Sequence, residues 1–435
     1  MSTPKKLDIE ELKTHLQTAI DVELSTIPIY LYTYYSINRV PEYPKLKQSK
    51  AQKIATFANK AGGIIMSVAV EEMLHLSLVS NILKSLGGSP KIYGQSPGHY
   101  PTNLLHHKKG FSIGLTKFTK KQLEKFMDVE KPAPMAPAPQ ADNWETLGQF
   151  YEYVSSLIEQ TSPSDYAKKD KAHTNQLVEG KGYYASSNID TVYPKDAFYI
   201  QKPANPHDPS ARGADQAQYP NSDDSGGLRH ILGKKDALAA IHEIAEQGEG
   251  QRKDPKHQYD DKDKAEDSHW FKYNELHKEF SSMKLTNKEL AGFVHNFPDS
   301  PDICSMPRGM QFMVDLNNAV YSYLLWMTEL SFTLYGSAQS SMFYIGMHKG
   351  MIFILDKLIG GMRYLSYKDK KGNKYNLAPT FDNYEFSSIE TAKQELVALC
   401  ELVASKPDLK LDANILERIK DLPDVNVVNN VVSFA

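Results

Sequence analysis

Two copies of Glu-x-x-His stand far apart in this chain, Glu72-Met73-Leu74-His75 and Glu266-Asp267-Ser268-His269, and a further carboxylate, Glu23, precedes both. On an α-helix, side chains three residues apart share a face, so the Glu and His of each copy can reach a single ion. A Glu-x-x-His pair from each of two helices, joined by single glutamates from two more, is how a helical bundle holds two metal ions in its core. Carboxylate oxygen and imidazole nitrogen suit iron or manganese rather than a thiolate-seeking metal. Such a centre could bind and activate dioxygen, or act as a Lewis acid on an imine or carbonyl. Roughly one copy of so short a motif arises by chance in a chain this long, so placement must carry the argument.

Residues 8–37 read as a long amphipathic helix with Asp8 as N-cap and Glu11 three residues on. Leu16, Ile20, Leu24, Ile27 and Leu31 mark its apolar face, Glu23 lies at the edge of that face, and Pro28 should bend the helix. Residues 50–86 read as a second long helix ended by Gly87-Gly88 and Pro90. Its stripe is Ile65, Val68, Ala69, Leu76, Val79 and Leu83, with Glu72 in the middle and His75 at the edge. The short connection between the two, with Pro41 and Pro44, predicts an antiparallel pair. Residues 88–143 are Gly- and Pro-punctuated and read as largely irregular. A third helix covers about 144–161, and a polar excursion fills 162–230. Helices resume at about 235–248 and 264–282. In the latter, Trp270, Tyr273, His277 and Phe280 share the face that carries Glu266 and His269. Apolar helices follow at about 309–335 and 340–362, then a charged turn from Lys368 to Lys374, a last helix near 387–404 and a weakly patterned tail.

An unpaired charged carboxylate on such a stripe would cost several kcal/mol, and metal coordination is one way to satisfy it. Buried pairing with tyrosines is the other, and Tyr30, Tyr34, Tyr35 and Tyr273 are at hand. The fourth carboxylate stays open. Glu249 and Glu246 both lie near the end of the helix over 235–248, Glu249 nearer its inner face than Glu246, whereas Glu243 points away and Glu152 lies off the stripe of the third helix. By helical phase, Tyr30, Tyr34 and Trp270 would line the pocket as catalytic residues. His106-His107 reads as surface and His348 as a core histidine. Neither Cys304 nor Cys400 has a neighbouring base that would make it a nucleophile.

A net charge of −3 and the lack of a basic run argue against a nucleic-acid partner. With 41% apolar residues the chain can bury a sizeable core. The two cysteines form no motif, which points to a reducing, cytoplasmic setting. The N-terminus lacks an apolar stretch, so no signal peptide is expected, and the most apolar segments carry polar or charged residues that argue against a membrane span.

Ala19-Ile-Asp-Val-Glu-Leu-Ser-Thr-Ile-Pro-Ile-Tyr-Leu31 resembles the first helix of the ferritin-like domain of iminophenyl-pyruvate dimer synthases, the enzymes related to VioB and RebD of bisindole biosynthesis. Glu71-Glu-Met-Leu-His-Leu76, Glu246-Gln-Gly-Glu-Gly250, Ser268-His-Trp-Phe-Lys-Tyr273 and Asn317-Asn-Ala-Val-Tyr-Ser-Tyr-Leu-Leu325 resemble later segments of that domain. Thr146-Leu-Gly-Gln-Phe-Tyr151 is similar to another, with Gln149 in place of the usual Glu. The resemblance implies a mainly α, ferritin-like bundle over residues 1–365, with loop insertions at about 88–143 and 162–232. Residues 366–435 would form a C-terminal helical extension. It further implies two non-haem metal ions, iron first and manganese second, held by Glu23, Glu72, His75, Glu266, His269 and Glu246 or Glu249. The reaction would be an oxidative coupling in secondary metabolism. The partners expected are a small aromatic or amino-acid-derived substrate and dioxygen, with self-association left open. The rival expectations are a non-catalytic iron-binding or storage protein, and a scaffold with a dead site.

Overall fold

The computed structural model describes residues 8–104, 110–132, 144–167, 175–178, 228–248, 268–343 and 354–426, together with positions 346 and 350. Helix α1 runs Ile9–Tyr35, and the side chain of its N-cap Asp8 accepts from the Glu10 amide at 3.0 Å. Pro28 sits inside it without ending it. Helix α2 runs Gln48–Ser85 and closes at Gly87, whose φ of +77° is a left-handed conformation that glycine adopts without penalty. Glu23 faces His75, Thr26 meets Glu72, and Arg39 meets Asn59. Contacts that ascend one helix while descending the other make α1 and α2 the antiparallel pair that the short connection predicts.

From Ile54 to Leu83 almost every residue of α2 is buried, because neighbours cover it on all sides. By length and composition α2 could cross a membrane, yet its apolar window is wholly enclosed by protein. A helix apolar all round is the expected centre of a large fold.

The segment expected to be irregular holds more order than its composition suggested. Strands β1 (Thr102–Asn103) and β2 (Ser112–Ile113) pair antiparallel, and helix α3 (Lys120–Val129) follows. The Thr119 hydroxyl caps α3 by accepting from the Gln122 amide, and Leu123, Phe126 and Val129 face the core. Helices α4 (Leu147–Glu159) and α5 (Lys234–Gly248) pack on each other, α4 also against α1 and α5 against α2. Helix α6 (His269–Met283) begins at Ser268, whose hydroxyl accepts from the Phe271 amide, and it packs against α3 and α2.

Short α7 (Asn287–Ala291) leads to α8 (Arg308–Ser331) and α9 (Gly336–Phe343), and α10 (Leu355–Met362) occupies the far part of the stretch expected to be one helix over 340–362. The charged turn expected from Lys368 to Lys374 is the connection of a hairpin, whose strands are β3 (Ser366–Lys368) and β4 (Lys374–Asn376). Helix α11 (Ala392–Ala404) packs on α8, and α12 (Ala413–Lys420), within the weakly patterned tail, packs on α11. Leu396, Cys400, Val403, Ile415 and Ile419 join the same hydrophobic core as the bundle.

Candidate metal centre

Four elements deliver carboxylates and imidazoles to one buried point. Glu23 comes from the middle of α1, Glu72 and His75 from successive turns of α2, Glu130 from the C-cap of α3 and His269 from the first position of α6. Each is no more than 3% exposed. Their ligand atoms form two triads, Glu23–Glu72–His75 and Glu72–Glu130–His269, and within each triad the atoms lie within 4.8 Å of one another. Glu72 belongs to both, so its carboxylate stands where it could bridge two ions.

Both histidines turn Nδ1 toward the cluster. His75 Nδ1 is 3.6 Å from Glu23 Oε2 and 3.8 Å from Glu72 Oε1. His269 Nδ1 is 3.1 Å from Glu72 Oε1 and 3.6 Å from Glu130 Oε2, yet it makes no aligned hydrogen bond. The opposite ring nitrogens are engaged: His75 Nε2 lies 2.8 Å from Gln247 Oε1, and His269 Nε2 lies 2.7 Å from Glu71 Oε2. With Nε2–H donated outward, each neutral ring offers its Nδ1 lone pair inward. The rings stack at 5.6 Å with 24° between their planes.

Hydroxyls orient the carboxylates. Tyr151 on α4 donates to Glu23 Oε1, Tyr30 to Glu130 Oε1, and Thr26 Oγ1 to Glu72 Oε2 at 2.7 Å. Gly248 ends α5 against Glu130, where an added Cβ would come within 3.4 Å of Oε2.

The electrostatics fit a cation site. Burial pushes the Glu23 carboxyl up to about 7. Burial, with the charges of Glu23 and Glu130, pushes Glu72 up to about 8. Burial opposes charge on His269, but Glu130, Glu71 and Glu72 around it hold its pKa well above the usual value. His75 is lowered by burial. Burial would raise Glu130, but the charge of His269 overrides it and the Tyr30 hydroxyl helps hold the carboxyl below its usual range. Protons thus hold together a donor set too crowded with negative charge to stay ionised alone, and a metal ion would displace them. Oxygen and nitrogen donors with no thiolate, converging around an unbonded imidazole nitrogen, suit iron or manganese.

Of the residues singled out in the sequence, Glu23, Glu72, His75 and His269 meet in this cluster. Glu246 does not: it is 39% exposed and pairs with His242 Nδ1 at 3.2 Å, while its neighbour Gln247 is the α5 residue that reaches the site. Glu249 and Glu266 lie outside the described residues, as do His106, His107 and His348. Glu152 is half-buried on α4, where its neighbour Tyr151 reaches Glu23 instead. Tyr30 touches the cluster through Glu130. Tyr34, a turn further along α1, packs edge-on against Tyr35, and burial raises its pKa with Asp356, Arg39 and Arg363 as the charges about it. Trp270 is half-buried and, as the next residue after His269, projects about 100° around α6 from it. The carboxylate that sequence reasoning missed is Glu130. The spacing of Leu123, Phe126 and Glu130 on one face of a short capped helix was the signal that could have revealed it.

The bundle carries a doubled carboxylate–histidine cluster of a kind that could hold metal ions. The ferritin-like family model matches residues 16–278. That match spans more than half of the chain, and the chain belongs to the ferritin-like family. Among solved structures, a ferritin-like protein from Caulobacter vibrioides is 18% identical with a TM-score of 0.48, covering 83% of this chain and 96% of that one. No curated protein matches this chain.

Proposed function

We propose that this protein is a non-haem dimetal oxidoreductase, with iron as its metal and manganese as the alternative. The observation that carries the reading is Glu72, a buried carboxylate common to two ligand triads, each completed by an imidazole Nδ1 and a further carboxylate. Glu23, Glu72 and His75 would hold one ion and Glu72, Glu130 and His269 the other. When bound, such a pair of ions supplies dioxygen chemistry or Lewis acidity. The chain's own part is to fix the donors and keep water away. Tyr151 and Tyr30 set the angle of Glu23 and Glu130, Thr26 sets that of Glu72, and the enclosing helices exclude water from the centre. Tyr30 and Tyr151 are the hydroxyls closest in role to proton donors, since each already donates to a ligand oxygen. The resemblance to iminophenyl-pyruvate dimer synthases supports an oxidative coupling of amino-acid-derived imines in secondary metabolism, with dioxygen as co-substrate.

The enclosed ligand set supports a second reading, a non-catalytic iron-binding protein, because a site sealed from solvent can hold a metal without reaching a substrate. One experiment separates them. The protein is loaded anaerobically with Fe(II), its metal content is measured, and oxygen uptake is followed with and without imines generated from aromatic amino acids. About two irons per chain with imine-dependent oxygen uptake supports the enzyme. The same stoichiometry without substrate dependence supports iron binding alone, and no stoichiometric iron overturns both.

A further inference from the structure

The two triads share Glu72 and mirror each other in donor type, but the groups behind their histidines differ in charge. His75 is backed by the neutral amide of Gln247. His269 is backed by the Glu71 carboxylate, and Lys272 Nζ grips both oxygens of that carboxylate at 3.0 and 2.9 Å. Glu71 is 3% exposed and Lys272 6%. Glu71 is the residue before Glu72 on α2, and Lys272 lies one turn along α6 from His269, so each partner sits beside a ligand. A buried ion pair is a poor way to gain stability, because desolvation offsets most of its attraction. Its position on the outward nitrogen of a ligand imidazole gives it another use. A carboxylate acceptor fixes the proton on Nε2, holds the ring plane and makes Nδ1 a stronger donor than an amide acceptor does.

We propose that Glu71 and Lys272 form a positioning pair that makes the Glu72–Glu130–His269 position the tighter of the two metal positions, so that it fills first and the Glu23–Glu72–His75 position fills second. This rests on the dimetal reading above. Lys272 anchors Glu71 so that its oxygen stays aimed at His269 whether or not the metal is bound.

The test uses Co(II), whose visible absorption reports its ligand field, titrated into the chelator-stripped full chain and followed by absorbance and calorimetry. The wild type should take two equivalents in two resolved steps. Glu71→Gln keeps a hydrogen-bond acceptor but removes its charge. It should weaken the first step by roughly 10–100-fold, alter the spectrum of that equivalent and leave the second step in place. Because that variant leaves Lys272 without its full counter-charge, the double variant Glu71→Gln/Lys272→Met is measured beside it. It carries no stranded buried charge and should show the same loss with wild-type helicity. Gln247→Leu should weaken only the second step. An ion pair that merely ties α2 to α6 would lower the urea midpoint and leave both steps and spectra unchanged, which would overturn the assignment. So would a wild type with two equal sites. A wild type that binds no Co(II) would instead remove the metal reading itself.

Discussion

Glu72→Gln tests the centre most sharply, because it should move stability and metal binding in opposite directions. In the metal-free protein, Glu72 is buried with Glu23 and Glu130 close by, and its pKa rises from 4.5 to about 8. The folded state therefore holds this proton more tightly than the unfolded chain does. The sign follows: stability is greatest below the unfolded value and falls as pH rises through the window from 4.5 to about 8. At 1.36 kcal/mol per pKa unit, the full penalty above that window is about 5 kcal/mol. Glutamine cannot ionise, keeps an oxygen for Thr26 Oγ1, and offers an N–H toward the Nδ1 lone pair of His75. Urea unfolding of the chelator-treated proteins, followed by circular dichroism, should therefore give nearly equal stabilities near about pH 5 and a variant more stable by about 3–5 kcal/mol near about pH 8.5. The same substitution removes the oxygen common to both triads, so Fe(II) or Co(II) affinity should fall at both positions by at least about 100-fold. A Glu72→Gln protein that is less stable than wild type at the higher pH, or that takes up two equivalents with wild-type affinity, would refute the reasoning.

Three further outcomes are expected. Tyr151→Phe strips Glu23 of its hydroxyl donor and should weaken the second Co(II) step roughly tenfold in titration while sparing the first, since Tyr151 touches only the Glu23 side of the cluster. His295, half-buried beside Arg363, has its pKa lowered from 6.5 to about 4, so its contribution to stability is complete above 6.5 and is lost as pH falls toward 4. His295→Gln should flatten that acid limb by about 2–3 kcal/mol in urea melts taken across the window. Gly62→Ala would place a Cβ 2.7 Å from Arg39 Cδ, a side chain buried and tied to Asn59 Oδ1 at 2.8 Å, and should cost about 1–3 kcal/mol by thermal unfolding.

What could be read before any coordinates followed the physics of periodicity. Glu23, Glu72 and His75 stand on apolar stripes of helices long enough for the 3.6-residue period to be unmistakable, and a polar ligand type on such a stripe is conspicuous. Glu130 gave no such contrast. Its helix has ten residues, follows a segment punctuated by glycine and proline, and ends one position before the glutamate itself. Glu246 and Glu249 stand out as fourth carboxylates because the pattern of their helix is plain in the sequence. Residue type misled at Glu246, since the side chain of α5 that reaches the centre is an amide, Gln247. Tyr34 and Trp270 were placed by helical phase, which orders side chains around one axis but says nothing about where the neighbouring helix stops.

Glu71 was hidden for a different reason, one rooted in the burial of α2. A buried polar residue is conspicuous where it breaks an apolar stripe, as Glu72 does, but Glu71 lies about 100° off that stripe, on a side that only the enclosure of α2 buries. Adjacent residues on it project about 100° apart, so Glu71 meets the outer nitrogen of His269 and Lys272 on α6, while Glu72 meets Thr26 on α1 and the inner nitrogen of His269. Enclosure is also what lets two successive carboxylates divide the work. One presents its oxygens to the centre, and the other reaches around the helix to the far nitrogen of a histidine that serves the same centre. Exposed to water, Glu71 would be solvated and its pull on His269 screened; buried and held by Lys272, it acts at close to full strength in a low-dielectric setting. The length of α2 and its all-round burial are therefore requirements of the centre as much as of the fold, and paired acidic residues within an apolar helix point to a site on the first of them only once the helix facing the second is known.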